Sequence, residues 1–353
     1  MRAGNLSLLF GLLTLCFSLI GTSLTQNAQA PPPPGKLVDV GGWRLHLNCT
    51  GKSEGEAPTV VLEAGSGDFS VDWGLVQPEV ARFARVCSYD RAGAGWSELG
   101  PRPRTWRQIA YELHTVLQKA GEKGPYVLVG QSLGGLLVRV YASAYHQEVV
   151  GMVLVDSTHE DTVLLMNSKP RRMRELSQGR TIPPVRTTIS AAEKELSAEE
   201  KQQVENNLKE MGAPKIGAPY NRLPTESQAA RLWALAQPRH YTADSYSYFA
   251  EEFAAVYAAR QQQEYPLGDA PLAVLLQKPG YDDPPPGVSA EEWKQINEEK
   301  RQQKVELTKL SRNSKLIVAE NSGHHIHLDE PAVVTGAIRQ VAEAAQRHTK
   351  LLP

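Results

Sequence analysis

One stretch decides the fold of this chain: Tyr126-Val127-Leu128-Val129-Gly130-Gln131-Ser132-Leu133-Gly134-Gly135. Its apolar start predicts a buried strand, which runs through a Gly-x-Ser-x-Gly turn into a helix over 133–143. A serine on so sharp a turn has strained backbone angles, and the neighbouring chain packs too closely for side chains at the flanking glycines. The turn therefore predicts that Ser132 is an exposed nucleophile beside the free N–H groups of a helix N-terminus.

Outward from this stretch, strand and helix patterns alternate. Continuous apolar strands separated by helices predict a parallel sheet that is covered on both faces. An antiparallel hairpin at 36–40 and 43–48, around Gly41-Gly42, is expected to precede it. The remaining expected strands are 59–63, 86–89, 126–129, 149–155, 272–276 and 315–319, with helical spacing at 76–84, 106–120, 133–143 and 333–345.

A polar, helix-like region interrupts this alternation. Residues 157–268 lack strand signals, and 193–208 and 229–259 are their clearest helical pieces. We therefore expect a core at 36–156 and 269–348, with a helical cap inserted at 157–268. The segment 281–303 is rich in Pro, Asp, Glu and Gln, which predicts a surface excursion that ends in a solvated helix.

The N-terminus has the features of a secretory signal peptide. Arg2 precedes an apolar stretch at 6–20, and Ala28-Gln29-Ala30 is typical of a cleavage site. We predict a signal peptide at 1–30, a proline-rich linker at 31–35, and a secreted or periplasmic protein with no stable membrane insertion after cleavage. An uncleaved membrane anchor is the alternative, because the apolar stretch is near the lower length for a span.

Composition limits the classes of partner. The 353 residues are 41% hydrophobic and carry a formal net charge of -1, which fits one large domain or one domain with an insertion. Such balance offers no field that would recruit nucleic acid, so we expect a small-molecule partner. After removal of the signal, Cys49 and Cys87 form an even pair, for which we predict a disulfide; two buried free thiols are the alternative.

A serine hydroxyl needs a base within hydrogen-bond reach. The segment 321–327 contains three histidines between the last expected strand and the closing helix. We assign the base to His324, because Gly323 lets the loop turn back over the strand ends, and keep His325 in reserve. A metal site is the rival interpretation of this cluster, but no carboxylate or cysteine cluster elsewhere completes a ligand set, so we predict no metal.

The acid that orients the base has two candidate positions. Asp156 ends the apolar run 149–155, at the sheet edge where active sites of such folds collect. Asp282 and Asp283 follow a later strand, but only after a polar, proline-containing loop. We favour Asp156, because a buried and preorganised carboxylate orients an imidazole better than one in a loop; a helix cap is its structural alternative.

Two backbone N–H groups are expected to hold the oxyanion. We assign them to Leu133, at the start of the helix, and to Ser66, in the turn Ala64-Gly65-Ser66-Gly67-Asp68, where small residues let the backbone approach a substrate oxygen. A plain glycine turn is the alternative for the second position. The segment 90–97 is expected to be a structural turn.

These residues resemble the α/β-hydrolase superfamily over nearly all of 36–348. The resemblance implies an eight-stranded, mostly parallel sheet, a lid after the sixth strand, and a Ser-His-Asp triad without a cofactor. A serine nucleophile argues against epoxide hydrolase or haloalkane dehalogenase chemistry, which needs a carboxylate. The resemblance rests on Glu63-Ala64-Gly65, Asp90-Arg91-Ala92-Gly93-Ala94-Gly95, Gly130-Gln131-Ser132-Leu133-Gly134 and Gly323-His324.

Two departures from the pattern of that superfamily bear on the site. Glu63-Ala64-Gly65 stands where many members have His-Gly, and no aspartate follows 272–276 at the usual short distance. The second departure adds weight to Asp156, because some members carry the acid after the sixth strand.

The predicted function is that of a secreted serine hydrolase that cleaves a carboxylic ester or a related acyl substrate. An acyltransferase, in which an alcohol replaces water, and an aminopeptidase are the competing enzyme functions. A ligand-binding, receptor-like protein with negligible turnover is the alternative outside enzymes, since fold alone does not decide function.

Overall fold

The computed structural model describes residues 30–52, 55, 57–166, 169–244, 247–264, 266–280 and 283–351. The chain divides into two compact units, Met1–Ala30 and Pro31–Pro353, of which the second is described below. The predicted signal peptide, apart from Ala30, and the candidate acid Asp282 lie outside the described residues.

The strands of the described residues are β1 Lys36–Asp39, β2 Arg44–Thr50, β3 Thr59–Glu63, β4 Val86–Tyr89, β5 Tyr126–Gln131, β6 Val149–Val155, β7 Val163–Met166, β8 Lys169–Arg172, β9 Leu272–Gln277 and β10 Ser314–Ala319. Eight of them form one mostly parallel sheet in the order β1-β2-β4-β3-β5-β6-β9-β10. Strand β2 pairs antiparallel with β1 and β4, and the pairs from β4 to β10 are parallel.

Helices cover both faces of the sheet. The helices of the described residues are α1 Gln77–Val80, α2 Trp106–Ala120, α3 Leu133–Ala144, α4 Ala198–Met211, α5 Thr225–Leu235, α6 Phe249–Gln261, α7 Ala290–Glu306, α8 Ile326–Asp329 and α9 Pro331–Arg347. On one face, α2 and α3 pack against alternate strand residues such as Val61 and Leu128. On the other face, α1 and α9 pack against the strand residues between them, such as Val60 and Val127.

The predicted fold class is confirmed. Strands β3, β4 and β6 and helix α2 have the predicted bounds, because a central parallel strand is apolar on both faces and its ends are marked by polar or turn residues. The solvated helix expected in the excursion 281–303 is present as α7.

The insertion after β6 differs from the prediction in two ways. It contains the antiparallel strand pair β7–β8 as well as helices. These strands were not predicted, because β7 has only four residues and its basic partner β8 shows no apolar alternation. The expected long helix at 229–259 is two helices, α5 and α6. Between them Pro238 starts a 3₁₀ turn, as expected for a residue that cannot continue a helix.

The predicted disulfide between Cys49 and Cys87 is confirmed. The two residues are opposite each other in the antiparallel pair of β2 and β4, which brings their Cα atoms to 4.0 Å. The proline-rich segment 31–35 also contacts the turn at 90–97: the Pro31 carbonyl accepts a hydrogen bond from the Trp96 indole N–H at 2.7 Å. Within the described ranges, no helix is long and apolar enough to cross a membrane.

Candidate active site

Ser132 lies at the turn between β5 and α3. Its backbone has φ 52° and ψ -121°, a conformation that non-glycine residues rarely adopt. The flanking glycines are required by close packing: a Cβ on Gly134 would overlap the Glu63 carbonyl oxygen and lie 2.5 Å from the Ala64 oxygen, and one on Gly130 would overlap Gly134. The chain therefore holds Ser132 on a strained turn at the N-terminus of a twelve-residue helix.

Asp156 follows β6 directly and is fixed by its surroundings. Its φ is 43°, and its N–H donates to the Leu275 carbonyl of the neighbouring strand at 2.9 Å. Its Oδ1 atom accepts a hydrogen bond from the Gln277 N–H at 3.3 Å. With only 1% of its surface exposed, the carboxylate is held in one orientation at the carboxyl end of the sheet.

His324 reaches both Asp156 and the serine turn. Its Nδ1 atom lies 2.6 Å from Asp156 Oδ2. Its Nε2 atom lies 3.3 Å from the side-chain amide nitrogen, Nε2, of Gln131, the residue before Ser132. An imidazole with Nδ1–H bound to a carboxylate has Nε2 available to accept a proton.

No hydrogen bond joins Ser132 to His324 in the described part of the chain. The Gln131 amide instead approaches Nε2, and it also donates to the His324 carbonyl at 3.4 Å. Catalytic hydrogen bonds often become short only when substrate is bound, so the absence of a bond between Ser132 and His324 without substrate is compatible with their roles as nucleophile and base.

A turn after β3 lies against the start of α3 and contains Ser66. The Arg91 guanidinium donates to the Ala64 carbonyl at 2.8 Å and to the Gly65 carbonyl at 2.5 Å. Because N–H and C=O point in opposite directions across a trans peptide, the Ser66 N–H points away from Arg91. Arg91 thus fixes the direction of the peptide that was predicted to be an oxyanion donor.

A family model described as "Alpha/beta hydrolase family" matches residues 60–337. The chain belongs to this family. It is 25% identical to an "AB hydrolase superfamily protein" of Gibberella zeae over 85% of this chain and 91% of that one. It is 33% identical to "Probable transporter efuK" of Hormonema carpetanum over 36% of this chain, which spans only 19% of that relative's length.

The fold of this chain is also that of solved structures. A thermophilic esterase from Thermogutta terrifontis matches with a TM-score of 0.57 and 19% identity, over 88% of this chain and 99% of that chain. Common architecture at so low an identity shows the fold, and the chemistry depends on the site residues themselves.

A lysine that was not predicted contacts the candidate acid, Asp156. Lys304, on α7, places its Nζ atom 2.6 Å from Asp156 Oδ2, the oxygen that His324 also contacts. Burial by itself raises the pKa of the Asp156 carboxyl. The Lys304 ammonium and the hydrogen bond from His324 outweigh burial, and the pKa falls well below its usual range. Asp156 is therefore an anion throughout the neutral range.

The neighbouring histidines have other partners. His325 Nε2 lies 2.9 Å from the Tyr220 hydroxyl, which also contacts Asp68 at 2.8 Å. His327 is 2% exposed and packs against Trp73, with the ring centroids 4.9 Å apart and the ring planes tilted by 44°; burial lowers its pKa to about 3. The structure therefore brings His324, and not its two neighbours, to Asp156.

A buried ion-pair network that was not predicted connects the turn at 64–68 to the cap. Arg91 pairs with Glu63 at 2.7 Å inside the core and with Asp244 of the cap at 2.7 Å. The Asp244 carboxylate also accepts the Gly67 N–H at 2.8 Å. Glu63 thus anchors Arg91. The segment 90–97 was expected to be a structural turn, and Arg91 in it also orders the turn that contains Ser66.

Asp283, the second candidate for the acid, takes no part in these contacts. It is an exposed residue of the loop before α7, and no hydrogen bond or ion pair links it to His324 in the described ranges. Its neighbour Asp282 is not among the described residues.

Proposed function

We propose that this protein is a secreted serine hydrolase that cleaves a carboxylic ester through an acyl-enzyme on Ser132. One observation carries the proposal: the 2.6 Å contact between His324 Nδ1 and Asp156 Oδ2, formed beside a serine whose backbone is held at φ 52°. A binding protein has no use for a strained serine beside an oriented imidazole, whereas acyl transfer needs both.

The reaction begins when the Ser132 hydroxyl attacks the acyl carbon of the ester. His324 Nε2 takes the hydroxyl proton, and the anionic Asp156 stabilises the imidazolium. The oxygen of the tetrahedral intermediate accepts hydrogen bonds from the N–H groups of Leu133 and Ser66. The imidazolium then gives its proton to the leaving alcohol, which produces an acyl-enzyme.

Water completes the cycle. His324 takes a proton from a water molecule, which attacks the acyl carbon; the acid product leaves and Ser132 regains its proton. Every step uses protein groups and water. If an alcohol took the place of this water, the same site would act as an acyltransferase.

Secretion is part of the proposal. The Cys49–Cys87 disulfide supports it, because disulfides persist in oxidising compartments. Expression of the full chain in a secreting host, followed by N-terminal sequencing of the exported protein, tests this part. A mature N-terminus near Pro31 is expected, and a cell-retained protein that begins at Met1 would contradict secretion.

A panel of p-nitrophenyl esters of increasing acyl length tests the reaction. We expect kcat to fall by about a million-fold in Ser132→Ala and His324→Ala. Ser143→Ala removes an exposed hydroxyl from the same helix and is expected to leave kcat unchanged. Equal turnover by the wild type and Ser132→Ala would refute the proposal. Added methanol that raises ester product at the expense of free acid would identify transfer to alcohols.

A further inference from the structure

The Lys304 contact gives the proposed acid an unusual charge environment. Asp156 Oδ2 accepts from both His324 Nδ1 and Lys304 Nζ, each at 2.6 Å. The carboxylate side chain is fully buried, and the lysine side chain is 18% exposed. Water therefore screens the pair much less than it screens a surface ion pair.

Helix α7 holds Lys304 in place through residues that precede it in the helix. Gln303 donates to the Asp161 carbonyl at 2.7 Å, and Arg301 donates to the Gln277 carbonyl at 3.4 Å. One turn earlier, Glu299 pairs with Arg172 of β8 at 2.5 Å. The backbone of α7 is thus fixed beside Lys304, which holds the lysine side chain close to Asp156.

The lysine changes the charge balance of the base. A carboxylate and a neutral imidazole carry a net charge of -1, so protonation of the imidazole would neutralise the pair. With Lys304 present the three groups start at zero, and protonation of His324 creates a net positive charge in a buried site. The lysine therefore opposes protonation of the imidazole before substrate binds.

We propose that Lys304 is a positioning residue that holds the Asp156 carboxylate and keeps His324 unprotonated, so that the base stays active at lower pH. This inference rests on the proposed function of Asp156 and His324. Lys304 does not touch the reacting atoms and acts only through Asp156.

Other charged and titratable groups face His324, and they limit the size of the effect. The rings of His324 and His325 are 5.2 Å apart, and His327 lies beyond His325 at 5.9 Å. Behind these histidines, Arg231 pairs with Asp68 at 3.0 Å and with Asp72 at 2.5 Å, so the charges of these three groups largely offset one another. Of the charges in direct contact with the Asp156–His324 pair within the described ranges, Lys304 is the only cation besides the imidazole.

The pH dependence of kcat/KM tests the inference. Lys304→Met keeps the length and the apolar stem of the side chain and removes its charge. We expect the acid limb of the profile to move to higher pH by about one unit, because loss of a nearby positive charge favours the imidazolium. Lys304→Arg keeps the charge and is expected to keep the limb, and Lys294→Met is the control for loss of a charge from the same helix.

Two results would overturn the inference. One is a Lys304→Met profile with a lower plateau and an unchanged acid limb, which means that the lysine only supports the fold. The other is an equal shift in Lys294→Met, which means that net charge alone is responsible. If Lys304→Met does not fold, Lys304→Gln keeps a hydrogen-bond donor without the charge, and the same shift is expected.

Failure of the proposed function would be distinguishable from failure of this inference. Protonation of the histidines in the folded, ¹⁵N-labelled protein can be followed by NMR without any substrate, with His324 assigned from a His324→Gln variant. A higher pH midpoint for His324 in Lys304→Met supports the lysine's role even if no ester is cleaved. If Lys304→Met cleaves esters but its His324 midpoint is unchanged, the role of Lys304 is refuted and the proposed function stands.

Discussion

His324 and Asp156 are 168 positions apart in the chain, yet His324 Nδ1 lies 2.6 Å from Asp156 Oδ2. The contact forms because Asp156 ends β6 and His324 lies in the loop after β10, and both strands end at the same edge of the parallel sheet. The contact fixes the orientation of the imidazole, so that its Nε2 atom faces the turn that contains Ser132.

Asp156→Asn is expected to lower kcat by three to four orders of magnitude. The amide keeps the shape of the side chain, but it no longer stabilises the imidazolium and favours the wrong tautomer of His324. Steady-state kinetics on a p-nitrophenyl ester measures the loss. Asp283→Asn is the control, and it should retain wild-type kcat because Asp283 is exposed. A large loss in Asp283→Asn with an active Asp156→Asn would move the acid to the loop before α7.

Gly134→Ala is expected to lower the free energy of unfolding by about 2 kcal/mol or more and to impair activity. A methyl group there would overlap the carbonyl oxygens of Glu63 and Ala64, at the start of the turn that contains Ser66. Gly336→Ala provides a matched change in α9, where no atom lies within 4 Å of the added methyl. That variant should gain about 0.5–1 kcal/mol from helix propensity. Chemical denaturation compares the two, and equal effects would contradict the packing at Gly134.

The fold was largely predictable because its central strands are apolar on both faces. Strands β3, β4 and β6 are short apolar runs with polar or turn residues at their ends, so even their bounds were visible. The strand pair β7–β8 was not, because a four-residue strand paired with Lys-Pro-Arg-Arg shows no alternation. Pro238 was a visible signal for the break between α5 and α6 that the prediction of one helix ignored.

Glu252 makes the stability of the cap depend on pH. Burial raises the pKa of this carboxyl to about 7, although it accepts the Trp106 N–H at 2.9 Å. The native state therefore holds its proton more tightly than the unfolded state does. Stability falls as pH rises from about 4.5 to 7, by up to about 3 kcal/mol.

Glu252→Gln keeps the acceptor oxygen and has no proton to lose. Its free energy of unfolding should exceed that of the wild type at pH 8, and the advantage should disappear below pH 4.5. Thermal or urea unfolding across this pH range measures it, with the exposed Glu226→Gln as the control. Parallel curves for Glu252→Gln and the wild type would contradict the effect of burial on Glu252.

The disulfide is expected to contribute about 4 kcal/mol, since it closes a loop of 38 residues in the unfolded chain. Cys49→Ala/Cys87→Ala should lower the denaturation midpoint accordingly. Reductant should destabilise the wild type and leave the double variant unchanged. Alkylation of two free thiols in the unreduced protein, measured by mass, would contradict the bridge.

The site was predictable only where local sequence decides it. Ser132 is visible from its strand, glycines and helix, and His324 and Asp156 from their places after strands. Lys304 is not visible, because α7 appears as an ordinary solvated helix and only the tertiary fold brings its ammonium to a carboxylate 148 positions earlier. The segment 90–97 was expected to be a structural turn. The bonds from its Arg91 to the carbonyls before Ser66 and to Asp244 are long-range contacts of the same kind, which the local sequence does not reveal.

Activation of Ser132 as a nucleophile is tested most simply by labelling the folded protein with a fluorophosphonate and mapping the adduct by mass spectrometry. A fluorophosphonate reacts with a serine only when a base activates the hydroxyl. We expect one adduct, on Ser132, which is absent in Ser132→Ala and forms far more slowly in Asp156→Asn. A folded protein that forms no adduct, or forms it on another residue, would contradict the account.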